Sequence, residues 1–173
     1  MKAGDVRDTI VQMLHEYTQV EVYRSGQVSP EPKIPYIIYS VTSPYQPEAT
    51  PGHFETVLEN EETYLYRRER AGMSLSFTAC SQNRENNGIK IQGEDEAMEL
   101  AEKVQGWFLF VGRAELSAAG IVVEDVNNVQ SRNVLMIDEE ANRYGFDVLV
   151  RYIREDSRTA GTVEKATAKG KKL

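Results

Sequence analysis

Three carboxylates stand in a row at Asp138, Glu139 and Glu140, and a fourth follows at Asp147. Clustered carboxylates suit divalent-metal and nuclease chemistry, because hard cations take oxygen ligands and activate water. Such sites usually add a Lys, a His or a second carboxylate pair at a recognisable spacing, and none stands here. Three readings of the run therefore stay open. It is a solvated connection between strands, which is the usual case; or a surface facing another subunit or a channel; or a metal site. Other chemistry is thinner still. His15 and His53 are the only histidines and Cys80 the only cysteine. His15 falls at a surface or boundary position of a helix, and His53 has no Cys, Asp or His at zinc-ligand spacing. Cys80 sits among small residues along a strand and reads as a space-filling side chain. No Gly-x-Ser-x-Gly occurs. The Gly-Lys pair at Gly170-Lys171 is followed by Lys172, so it is no phosphate loop, and Gly-x-Gly-x-x-Gly is absent. We assign no catalytic, cofactor-binding or metal-binding residue, and expect a protein that is not an enzyme.

The elements that must carry these residues follow from periodicity. Val6, Ile10, Met13, Leu14 and Tyr17 recur at helical spacing, which predicts a helix over 5–18 with Asp5 as N-cap and Asp8 reaching back. Residues 20–24 and 36–43 read as strands, with a Pro-rich loop over 25–35. Pro44, Pro47, Pro51 and Gly52 make 44–62 a long loop. In 64–80, Met73, Leu75, Phe77 and Ala79 alternate with Ser74, Ser76, Thr78 and Cys80, the pattern of a half-buried antiparallel strand. A polar loop over 81–93 contains the turn pair Asn87-Gly88. A second helix begins near Asp95 and buries Ala97, Leu100, Ala101, Val104, Trp107 and Phe108. The run Trp107–Val111 is more apolar than one helix face needs, which suits a partner-binding patch. A short helix near 115–119 ends at Gly120. Strands follow over 121–129 and 143–154, the second with Tyr144, Phe146, Val148, Val150 and Tyr152 on one face. The class is α+β: a mostly antiparallel sheet with two or three helices packed on one face.

The formal charge of −7 is uneven. From residue 156 onward there are five basic residues (Arg158, Lys165, Lys169, Lys171, Lys172) and two acidic ones (Asp156, Glu164), so the body carries −10. An acidic body does not wrap nucleic acid, because phosphate binding needs Lys and Arg. We expect one domain over 1–155 and a flexible basic tail over 156–173. No apolar run approaches the length of a membrane span.

The stretch 120–155 carries a resemblance. Its features are a helix ending in Gly, the strand from Gly120 to Val129, Arg132-Asn133 leading into an apolar run and acids, and Arg143-Tyr144-Gly145-Phe146-Asp147 opening the last strand. Upstream, Pro35-Tyr36 with its strand, Leu75–Ala79 and the helix ending in Trp107-Phe108 follow in the same order. Together they resemble the neck or tail terminator family of bacteriophages and prophages over most of residues 5–155. The basic tail has no counterpart in the resemblance. It implies a structural virion protein at the head–tail joint, made in the host bacterial cytoplasm. Such a subunit forms a ring, six copies by the family pattern, at the end of the tail tube. Its partners would be itself, the tail tube protein, the head completion or connector protein, and genome DNA passing through the lumen without sequence-specific binding. On this reading Asp138, Glu139 and Glu140 meet Arg67-Arg68 or Arg143/Arg151 of a neighbour, or line the channel. Arg132 and Asp147 belong to the same surface, and 44–62 is an arm that orders on assembly. The alternatives are a tail-completion or assembly factor elsewhere on the tail, and a metal-dependent hydrolase using Asp138, Glu139, Glu140 and Asp147.

Overall fold

Helix α1 spans Ala3–Thr18 and buries Val6, Ile10, Leu14 and Thr18, one residue per turn along a single stripe. It starts two residues before the expected N-cap. Asp5 lies inside the first turn, where its carboxylate accepts the Lys2 backbone N–H at 3.0 Å. Asp8 instead pairs with Arg7 at 2.7 Å. The computed structural model describes residues 1–27, 32–133 and 141–160.

The sheet is built around two long strands, β4 (Glu62–Ser81) and β9 (Asn142–Thr159). They run antiparallel in unbroken register from Tyr64↔Thr159 to Ser81↔Asn142. The order is β1-β2-β4-β9-β7, with β1 (Val22–Arg24) parallel to β2 (Tyr36–Gln46) and the other pairings antiparallel. The free edge of β4 is shared end to end: β2 takes its second half and β3 (His53–Glu59) its first. The free edge of β9 is shared likewise by β7 (Ile121–Val126) and β8 (Gln130–Ser131). A separate hairpin, β5 (Arg84–Asn86) and β6 (Ile89–Ile91), turns at Asn87-Gly88 with both residues at positive φ.

One face of the sheet is the core. Met73, Leu75, Phe77, Phe146, Val148 and Val150 are buried there under α1 and α2 (Gly93–Gly106). Phe77 packs tilted against Phe108 at 5.1 Å and Phe146 at 6.2 Å between ring centroids. Helix α2 does not continue into the apolar run as an α-helix. Trp107–Val111 forms a π-helical turn, with the Gly112 N–H donating to the Trp107 carbonyl at 2.8 Å. An uninterrupted α-helix would bring Val111 into the stripe of Trp107 and Phe108. The wider turn puts Gly112 there instead, where an added Cβ would stand 2.2 Å from the Trp107 ring. Leu109, Phe110 and Val111 are thereby turned out to solvent. Helix α3, Arg113–Ala118, then leads into β7.

Several expected boundaries move. Residues 44–62 are not one loop, because β2 runs to Gln46 and β3 fills 53–59. The prolines interrupt only the stretch between them. Asn60 and Glu61, both at positive φ, close a two-residue hairpin from β3 into β4. The 81–93 loop holds the β5–β6 hairpin, and the strand expected over 121–129 ends at Val126. β9 continues to Thr159, so residues 156–159 belong to the sheet and not to a loose tail. The outer half of β4 with β3 and the end of β9 forms a three-stranded arm extending beyond the core.

Candidate functional site

The solvent face of the sheet, opposite the helices, carries the run Arg143-Tyr144-Gly145-Phe146-Asp147. Phe146 points into the core, so Gly145 and Asp147 face outward, opposite Thr78 and Ser76. A Cβ on Gly145 would lie 2.4 Å from the Phe77 carbonyl oxygen, 2.8 Å from Thr78 Oγ1 and 3.0 Å from Arg132 Cδ. Glycine is therefore what lets Arg132 lie flat across the two strands. Its Nη1 donates to Ser76 Oγ at 2.5 Å and Thr78 Oγ1 at 3.0 Å, and its Nη2 to Asp147 Oδ1 at 2.8 Å. Burial alone would push the Asp147 carboxyl up. Hydrogen bonds from Ser76 and Arg132 and the charge of Arg132 outweigh that and hold it below the usual aspartate range. The backbone is stitched at the same place. Arg132 N–H donates to the Arg143 carbonyl at 2.8 Å, and Arg143 N–H donates to Asn133 Oδ1 at 2.6 Å.

A second cluster lies where the arm leaves the core. Glu69 is only 3% exposed. Its carboxylate accepts Tyr45 Oη at 2.6 Å and Arg67 Nη2 at 2.6 Å. Arg67 also donates to the Pro51 carbonyl at 2.8 Å and reaches Asp156 at 3.4 Å. Arg154 stacks over the Tyr45 ring at 4.5 Å and pairs with Asp156 at 3.1 Å. On the opposite face of the arm, Arg68 bridges Glu155 of β9 and Glu55 of β3, the latter at 3.0 Å. An open groove of about 580 Å³ beside it is lined by His53, Arg68, Glu69 and Arg70 among others.

A third clamp fixes the start of α2. Arg84 grips Glu96 through both nitrogens, at 2.6 and 2.8 Å, and Ser81 donates to the same carboxylate. The Arg84 hydrogen bonds hold the Glu96 carboxyl below the usual glutamate range against the opposing effect of burial.

Of the residues singled out from the sequence, the structure joins Arg132 directly to Asp147 and ties Arg143 to them through the backbone. Arg67 and Arg68 are elsewhere. Glu155, the partner of Arg68, is eight residues along β9 from Asp147, about 27 Å of strand. Arg67, Arg68 and Arg132 each engage a carboxylate of their own chain, as does Arg151, which reaches Glu124 at 2.5 Å. Asp138, Glu139 and Glu140 lie outside the described residues. Among the described residues no group of three or more His, Cys, Asp or Glu side chains converges as a metal would require. The sequence reading missed Glu69 and the Arg84–Glu96 clamp. Glu69 had a signal, since it shares the odd-numbered phase of Ala71, Met73 and Leu75 on β4, where a carboxylate must find a partner.

Two long paired strands with helices packed on one face describe an α+β scaffold. The sequence comparison states the class. The profile of a family described as phage neck terminator protein matches residues 8–173, nearly the whole chain, and the chain belongs to that family. The match runs through the basic tail that had no counterpart in the resemblance. No curated protein matches the chain. The family is one of structural proteins associated with other phage head and tail proteins.

Proposed function

We propose that the chain is a ring-forming subunit, in six copies, that caps the end of the phage tail tube, stops its polymerisation and offers a surface to the head completion protein. Family membership over residues 8–173 carries this reading. The charge distribution supports it. Carboxylates lining a channel repel phosphates and let DNA slide without sticking, and the body is strongly acidic. Asp138, Glu139 and Glu140 belong to that lumen or to the boundary between copies. The Arg67, Arg68 and Arg132 pairs, closed within one chain, let each subunit fold before it meets a neighbour. Negative-stain electron microscopy of a lysate with a nonsense mutation in this gene tests the role. Filled heads beside separate tails, or tails of uncontrolled length, are expected. Joined particles of normal length would overturn the role at the joint. Tails that lack only a distal part would favour a completion factor elsewhere on the tail.

A further inference from the structure

We propose that Phe110 of one copy seats in a cleft on the arm of a second copy, so that two different patches of the same chain make the contact between neighbours. This inference rests on the ring reading above and names the surfaces that would build it.

The projecting side is made by the π-helical turn. Phe110 is 83% exposed, with Leu109 and Val111 about half exposed beside it. Three consecutive large apolar side chains standing in water at a rigid turn are unusual for an isolated subunit. The turn is anchored from behind by Trp107 and Phe108, which pack edge to face at 4.8 Å. The aromatic is therefore held out on a fixed support and loses little freedom on docking, as an anchor residue should.

The receiving side is on the arm's helix-side face. Phe54, Leu65, Arg67, Asp156, Ser157 and Arg158 line a cleft of about 250 Å³. That is below the roughly 300–1,000 Å³ of small-molecule sites and suits one aromatic side chain. Its apolar wall is incomplete, since Phe54 is 51% exposed and Leu58, farther along β3, is 72% exposed. The rims differ in sign. Arg158 has no ion pair among the described residues. The exposed side of α2, which leads into the turn, carries Glu94, Asp95, Glu99 and Glu102 against Lys103. Acidic helix and basic rim would meet as the aromatic enters.

A chain cannot fill its own cleft. Phe108 is fixed on Phe77, and Leu65 lies twelve residues along unbroken β4 from Phe77, about 40 Å of strand. Phe110 is two residues from Phe108. Because projection and cleft do not overlap, every copy offers one of each, the head-to-tail arrangement that closes a ring when the rotation permits.

The test uses the full chain. Phe110→Cys and Leu65→Cys variants are mixed and oxidised, with the buried Cys80 left in place, and cross-links are mapped by mass spectrometry. In parallel, Phe110→Asp, Leu65→Arg and the double variant are sized by analytical ultracentrifugation. Circular dichroism confirms that each is folded. A 110–65 link between copies is expected, with self-association at least about tenfold weaker in each single variant. It should be restored in the double, where the introduced carboxylate of one copy would face the introduced guanidinium of the next. A wild type that assembles, together with cysteine variants that give no 110–65 link and a Phe110→Asp variant that assembles as well as the wild type, overturns the proposal and leaves the ring reading standing. The same holds if Phe110→Cys links only to itself. A wild type that stays monomeric without any cross-link overturns both this contact and self-assembly in solution. A wild type that stays monomeric until tail tubes are added, and whose binding to those tubes is abolished by Phe110→Asp, overturns the second copy as occupant.

Discussion

Between Ala71 and Ser81, β4 is buried at every position of its helix-facing phase, whereas between Glu62 and Arg70 the same strand buries Glu69 alone. Both halves pair with β9 in one register, so backbone hydrogen bonding does not distinguish them. Side chains do. The inner half carries Met73, Leu75, Phe77 and Ala79 against Val150, Val148, Phe146 and Tyr144. The outer half carries Tyr64, Leu65, Tyr66, Arg67 and Arg68 against Thr159, Arg158, Ser157, Asp156 and Glu155. Removing apolar area from water contributes about 25 cal/mol per Å², while an exposed ion pair contributes about 0–1 kcal/mol. The core half is thus where folding free energy resides, and the arm is a low-stability extension kept in place by its base. An arm of that kind is available for contact with a neighbour at small cost to the fold.

The two halves should differ most at Phe77. Phe77→Ala should cost about 3–5 kcal/mol in urea unfolding, while Leu65→Ala on the arm should cost well under half of that. Equal losses would mean the two halves are stabilised alike. Next comes the base of the arm. Glu69→Ala leaves Tyr45 and Arg67 without the buried acceptor they share, and should cost about 1–3 kcal/mol. Glu69→Gln keeps an acceptor and should cost less. Hydrogen exchange should show the outer amides of β4 and β9 losing protection in Glu69→Ala before the inner ones do.

Acid sharpens the contrast more gently. Glu96 and Asp147 have folded pKa values below their ordinary range. Their contribution is therefore present above the unfolded-state pKa and is lost as pH falls through the depressed folded value. The urea midpoint should drop between about pH 5 and about pH 2, and Arg84→Met should remove much of the Glu96 share of that dependence. A pH response unchanged by Arg84→Met would remove the clamp from the account. Smallest of all is Arg68→Ala. Its partners Glu55 and Glu155 are substantially exposed, so the shift in urea midpoint should be barely detectable. A larger shift would show the arm to be more than a tethered extension.

Much of the core half was legible from alternation in 71–80 and 144–152, because a strand with one wet face writes a period of two. The Asn87-Gly88 turn was legible for the same local reason. The arm was not. Phe54, Thr56 and Leu58 alternate, but Pro44, Pro47, Pro51 and Gly52 dominate the reading of that stretch, and Asn60-Glu61 lacks the glycine that marks a tight hairpin. The exposed Leu109-Phe110-Val111 edge was visible only as surplus hydrophobicity, since a one-residue widening of a helix leaves no periodic trace over five residues. Arg132 and Asp147 were singled out for an interface, and the structure shows them first of all satisfying each other. What brought them together was Gly145, whose need appears only when two strands and a guanidinium are stacked.

The register of β4 with β9 also sets a timetable. Partners along this ladder are separated by 61 residues at Ser81↔Asn142 and by 95 at Tyr64↔Thr159. Chains lengthen by about 5–20 residues per second during synthesis. The middle strand of the sheet is therefore made on the order of ten seconds before the strand that closes its far edge, and loop closure over such distances is slow in any case. During that interval a twenty-residue edge stands open beside sister chains emerging from the same message, each offering the same sequence. Slower translation between β4 and β9 would lengthen the interval, and this is the stage at which copies of the chain are most exposed to pairing with one another in the wrong way.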